Sequence, residues 1–153
     1  MIQAQADKTV IVQAPSTGVS TSAITAAIDT LGASYVQIQV LGTQATAAGT
    51  NKLDALAVAS GTSSTGPWTN ISGLVGTTNS TAASGEFVIP GHSVTNQPFL
   101  INLGCVPPAR WLRVTYDAPS TTYDDIVVIA RLQQLNESAN STTEAGSIAN
   151  VYV

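Results

Sequence analysis

Charge is scarce in this chain. Only 9% of its 153 residues are charged, against about 25% in an ordinary soluble domain. It has one histidine, His92, and one cysteine, Cys105. Catalysis draws on clusters of titratable groups, so the composition predicts a structural or binding protein rather than an enzyme. A lone cysteine excludes an internal disulfide, and Cys105 reads as a small buried apolar residue. No stretch approaches the roughly 20 apolar residues needed to cross a bilayer. The opening MIQAQADKTVIVQAP lacks a basic segment ahead of an apolar run, so no secretory signal is read there. These absences predict no membrane partner and synthesis in the cytoplasm. Net charge is −4, and the five basic residues Lys8, Lys52, Arg110, Arg113 and Arg131 are scattered. Without a basic stripe to meet phosphates, no nucleic-acid partner is expected.

What stands in place of charge is Ser, Thr, Ala, Gly, Val, Asn and Gln, arranged as short strands between turn residues. Val10-Ile11-Val12 opens the series within a possible N-terminal arm over residues 1–14. Residues 22–28 read as a second strand; a short helix with Ile24, Ala27, Ile28 and Leu31 on one side competes but suits β-branched Thr25 less well. Residues 34–41 give the clearest alternation, with Val36, Ile38 and Val40 set against Gln37 and Gln39. Residues 42–51 read as a loop. Residues 53–59 alternate again, with Leu56 and Val58 opposite Ala55 and Ala57. Trp68 to Ile71 follows a polar turn, and 73–85 reads as loop. Strands are then predicted over 86–89, 99–103, 110–116 and 125–132. About nine short strands with Gly- and Pro-rich turns predict an all-β fold, an antiparallel β-sandwich of jelly-roll type. The body is assigned to residues 1–132. Residues 133–153 form an extended C-terminal tail: a polar spacer ending in the strand-like Ile148-Ala149-Asn150-Val151-Tyr152-Val153.

Few residues qualify for chemistry. His92 follows Pro90-Gly91 with no second histidine or nearby cysteine, which makes a poor metal site. Asp117, Asp124 and Asp125 could offer oxygens to calcium, but without the spacing of a calcium loop they read as a solvated turn. Asp29, Asp54, Glu86, Asp117, Glu137 and Glu144 are far apart, and nothing selects a working pair. No phosphate loop, dinucleotide fingerprint or nucleophile elbow is present. No cofactor, metal or catalytic residue is therefore expected. Four Asn-x-Ser/Thr matches, at Asn70, Asn79, Asn136 and Asn140, are of the kind that chance supplies in a Ser- and Thr-rich chain.

Signs of contact surface are clearer. Ile126-Val127-Val128-Ile129-Ala130 is apolar on both faces, whereas an outer strand of a monomer should be polar on one. Its outward residues, Val127 and Ile129, are covered either by the chain itself or by another subunit. In residues 110–116 one face holds Leu112, Val114 and Tyr116, suited to a core. The other holds Trp111, Arg113 and Thr115, and Trp and Arg are enriched where proteins bind each other. The tail segment, with Ile148, Val151 and Tyr152, can add to a neighbouring sheet edge, fold back on its own sheet, or fray. The candidate interface residues are Ile11, Trp111, Arg113, Val127, Ile129, Ile148, Val151 and Tyr152.

Four segments taken in order carry a resemblance: Ser34-Tyr35-Val36-Gln37-Ile38-Gln39-Val40, Leu53-Asp54-Ala55-Leu56-Ala57-Val58-Ala59-Ser60, Thr65-Gly66-Pro67-Trp68-Thr69-Asn70-Ile71-Ser72-Gly73 and Ala109-Arg110-Trp111-Leu112-Arg113-Val114. The series, within residues 30–132, resembles the small jelly-roll decoration (cement) proteins of tailed-phage capsids. That resemblance implies a virion protein on the outer capsid surface, often a homotrimer, bridging neighbouring copies of the major capsid protein. It also resembles discoidin-like carbohydrate-binding modules, which imply a glycan partner held on Trp68 or Trp111. Those modules usually carry Asp-Gly before the tryptophan, where this chain has Gly66-Pro67.

Overall fold

Alternating apolar and polar residues favour extended chain, because a strand sends successive side chains to opposite faces. The computed structural model describes residues 7–13, 23–44, 53, 55–77, 83–89, 98–117 and 123–133, and among these it is all strand and turn with no helix. The strands are β1 Lys8–Gln13, β2 Ala23–Ile24, β3 Ile28–Asp29, β4 Tyr35–Gln44, β5 Ala55–Gly61, β6 Thr69–Thr77, β7 Glu86–Val88, β8 Pro98–Cys105, β9 Trp111–Asp117 and β10 Tyr123–Gln133.

One sheet has four strands in the order β1-β10-β4-β8; the other has six, β2-β9-β5-β6-β7 with β3 also on β9. Pairings nest along the chain: β1 with β10, β2 and β3 with β9, β4 with β8, β5 with β6. The chain is thus one long hairpin folded over on itself. The β10–β4 and β9–β5 pairings close the fold-over. This is the jelly-roll arrangement of an antiparallel sandwich. One pair departs from the antiparallel rule, since β7 runs parallel to β6.

The core lies between the sheets. Val36, Ile38 and Val40 of β4, Ile126, Val128, Ala130 and Leu132 of β10, and Phe99, Ile101 and Leu103 of β8 face Leu56 and Val58 of β5 and Leu112, Val114 and Tyr116 of β9. Each fully buried side chain of this size contributes roughly 1.5–3 kcal/mol. Gly42 of β4 is buried opposite Phe99, whose ring carbons lie 2.9 Å from where a Cβ would stand. The aromatic ring fills the space the glycine leaves.

Several expected boundaries move. The strand over 22–28 is split, because Thr25 is buried between β2 and β3 and bonds to β9 twice. Its N–H donates to Val114 O at 3.0 Å, and its Oγ1 accepts from Val114 N–H at 3.1 Å. A side-chain oxygen replaces a ladder carbonyl, which bulges the chain. The competing helix is not formed. Residues 42–44, expected in a loop, continue β4 against β8 and β10. Residues 73–77, also expected as loop, extend β6. Gly73 and Gly76 hid that stretch by reading as loop residues, although Leu74 packs against the core and the backbone pairs with β5 and β7. The tail over residues 134–153 lies outside the described residues.

Candidate functional site

The four-stranded sheet turns one face outward. Cross-strand register sets its rows. Val127, Leu41 and Leu100 form one row, and Ile11, Ile129, Gln39 and Asn102 form the next. Directly paired residues share a face and stand about 5 Å apart. Ile11 is 51% and Leu100 52% exposed, while Leu41, Val127 and Ile129 are half-buried among their neighbours. The result is an apolar patch of five residues across all four strands. The polar end follows: Gln39 Nε2 donates to Asn102 Oδ1 at 3.1 Å, and Arg131 meets Asp7 at 3.4 Å. Tyr35 lies over Gly104 on this end.

The six-stranded sheet is finished differently. Its outward positions on β5 are small: Ala55, Ala57, Ala59 and Gly61. Across from them on β9 stand Asp117, Thr115, Arg113 and Trp111. A tight turn precedes β6, in which Gly66 N–H donates to Ser63 O at 3.2 Å and Ser63 Oγ donates to Gly66 O at 3.0 Å. Gly66 takes φ +98°, a conformation that favours glycine. The turn lays Trp68 back over Gly61, with ring atoms 3.1 Å from where a Cβ would stand. The Arg113 guanidinium sits 4.7 Å from the Trp68 ring centre, and Arg110 sits 5.2 Å from that of Trp111. Ala59, paired with Arg113, is 2% exposed. Arg113 Nε is buried without a hydrogen-bond partner among the described residues. Arg110 also grips Asp29 through Nε–Oδ1 at 3.0 Å and Nη2–Oδ2 at 2.7 Å. That hydrogen bond, helped by the Leu31 N–H, holds the Asp29 carboxyl below its ordinary value despite some desolvation.

The expected interface residues therefore divide. Ile11, Val127 and Ile129 come together on the four-stranded sheet. Trp111 and Arg113 lie on the opposite side of the sandwich and cannot share one contact with them. Ile148, Val151 and Tyr152 lie outside the described residues. Sequence reading missed Leu41 and Leu100, although the signal was present. Phe99-Leu100-Ile101 and Val40-Leu41 break alternation just as residues 126–130 do. It also missed that Trp68 and Arg113, far apart in the chain, stack on each other.

No catalytic cluster is assembled from the described residues. No three His, Cys, Asp or Glu side chains among them gather as metal ligands. Cys105 is a free, half-buried thiol whose pKa burial raises. Asp29 and Glu86 are each tied locally, Glu86 accepting from Ala83 N–H at 3.1 Å. His92 and Asp54 lie outside the described residues. Comparison with protein-family models and with curated proteins finds no match. The chain's own surfaces must carry the functional argument.

Proposed function

We propose that this chain is a non-enzymatic virion protein that decorates a tailed-phage capsid as a homotrimer, bridging neighbouring major capsid subunits from the outer surface. The observation that supports this reading best is the apolar patch of Ile11, Leu41, Leu100, Val127 and Ile129. Its most outward members are about half exposed, in a chain with little charge to interrupt it. An exposed apolar patch rimmed by polar residues marks a surface that another protein covers. A decoration protein binds the assembled lattice and not the free subunit, so it stabilises the lattice by linkage. Joining three copies makes the second and third contacts intramolecular, and weak contacts then hold firmly. Low charge keeps such contacts cheap to desolvate and insensitive to salt.

Glycan binding draws less support. A sugar stacks on a bare indole face, and here each tryptophan carries an arginine over one face, with Trp68 resting on Gly61 as well.

Two measurements test the proposal together. Light scattering across a range of concentrations is expected to give a stable trimer. Cosedimentation is expected to show binding to assembled shells of the cognate major capsid protein and none to its free subunit. Failure to bind assembled shells contradicts the reading.

A further inference from the structure

A homotrimer that decorates a shell makes two kinds of contact, one with its sister copies and one with the shell. The patch on the four-stranded sheet is one surface. A second lies at the end of the sandwich where β3 and β8 finish and β4 and β9 begin. There two loops cross from sheet to sheet: residues 30–34 join β3 to β4, and residues 106–110 join β8 to β9. Register sets them at the same end, since Val36 pairs with Cys105 and Asp29 with Trp111.

The two loops are tied to each other. Thr30 is buried; its N–H donates to Arg110 O at 2.9 Å, and its Oγ1 donates to the same oxygen at 2.7 Å. Arg110 in turn grips Asp29, whose Oδ1 accepts from Leu31 N–H at 3.1 Å. The chain reverses over residues 30–33, with Ala33 N–H donating to Thr30 O at 2.9 Å and Gly32 at φ +81°. A turn of this kind needs glycine at its third position and sets the second at the corner. Leu31 occupies that corner and is 65% exposed. In the other loop Val106 is 71% exposed, and Pro107 and Pro108 stiffen the chain just after it. These are the two most exposed large apolar side chains among the described residues, ahead of Ile11 and Leu100 on the sheet face. Standing so far out, they add little to folding. Their tied frame holds them ready for contact, which lowers the ordering cost of binding.

We infer that this end is where each copy meets the shell, with Leu31 and Val106 entering an uncharged apolar depression on the outer surface of the major capsid protein. The inference rests on the capsid reading above. Charge favours a protein over a bilayer here. Interfacial insertion draws on surplus Lys and Arg, whereas Arg110 and Arg131 are each matched by a carboxylate, Asp29 and Asp7. Direction supports the assignment as well. The sheet face looks across the strands and the loops project along them, so one copy can engage its sisters and the shell at once. Copies joined through their sheet faces would set several such ends on the lattice together, and linked contacts reinforce one another.

Cosedimentation with assembled shells and native mass, read on the same samples, test this. The double variant Leu31→Ser/Val106→Ser is expected to keep the native mass and melting temperature of wild type, because exposed side chains contribute little to stability. Its affinity for shells is expected to fall by about a hundredfold, as for loss of central contact residues. Val106→Ser alone, which leaves the Gly32 turn untouched, serves should the double variant melt early. Shell binding at wild-type strength would overturn the inference. So would a fall in native mass, which would place this end between copies. Wild-type binding to phosphatidylcholine vesicles that the variant loses, with shell binding kept, would overturn it in favour of a bilayer. Wild type that binds no shell at all contradicts the capsid reading itself and removes the partner named here, whatever the variants do.

Discussion

On the six-stranded sheet, Trp68 lies over outward Gly61 with Arg113 stacked on its ring, and Ala59, paired with Arg113, is sealed from solvent. On the four-stranded sheet, outward Ile11 and Leu100 stand half exposed with Val127, Ile129 and Leu41 between them. Both faces belong to the same kind of ladder. One is completed by large side chains folded over small ones, and the other presents large side chains with nothing described above them. A roofed face contributes to folding; an open apolar face is available to a partner. Substitutions on the two faces should therefore move different observables.

The largest effect is expected at the open face. Ile129→Lys should weaken partner association by about a hundredfold, the loss typical of a central interface residue. Its urea midpoint should shift by less than about 0.5 kcal/mol in stability, as surface changes usually do. If stability falls together with association, the patch belongs to the fold rather than to a partner. Trp68→Ala should do the reverse. Deep aromatic truncations cost about 3–5 kcal/mol, and for this half-buried ring about 2 kcal/mol is expected by the same reasoning. Denaturant unfolding would read it, with association unchanged.

A smaller effect is expected in the core between the faces. Tyr116 is buried, its hydroxyl has no partner among the described residues, and desolvation raises its pKa. Tyr116→Phe removes an unsatisfied polar group, so stability should stay level or rise by up to about 1 kcal/mol. A drop in melting temperature would show that the hydroxyl is satisfied. The smallest effect is at the rim of the roofed face, where Arg110 holds Asp29. The folded carboxyl titrates below its ordinary value of 3.8. Its contribution is therefore present above that value and is lost as pH falls through the lower folded pKa. Both groups are substantially exposed, so solvent screening keeps the contribution small. Comparing melting temperatures of wild type and Asp29→Asn from about pH 5 to pH 2 should show the difference shrinking with acid. A difference independent of pH would assign the pair no role.

The strand cores were legible because burial on one face repeats every second residue. Val36, Ile38 and Val40, Leu56 and Val58, and Leu112, Val114 and Tyr116 were each placed inward from alternation, and all are buried. The split at Thr25 was not legible, since a side chain taking the part of a ladder carbonyl leaves no periodic trace. Nor was the extension of β6 through Gly76, where backbone pairing and the Phe87 and Ile89 side chains take the place of a side chain of its own. Of the candidate surface, Ile11, Val127 and Ile129 were identified, whereas Leu41 and Leu100 required the register that brings β4 and β8 alongside β10.

By itself, the sequence determined that this chain folds as strands with one buried face each, because alternation and turn residues act over a few positions. It also determined that little charge is available for chemistry. Only the tertiary structure decided which outward residues meet. Trp111 and Arg113 lie on one side of the sandwich and Ile11, Val127 and Ile129 on the other. Trp68 reaches Arg113 across 45 positions of chain because β5 pairs with both β6 and β9. Such neighbours are set by the order of strands in a sheet. That order follows from how one long hairpin folds over, a choice made by the whole core at once and written in no single segment.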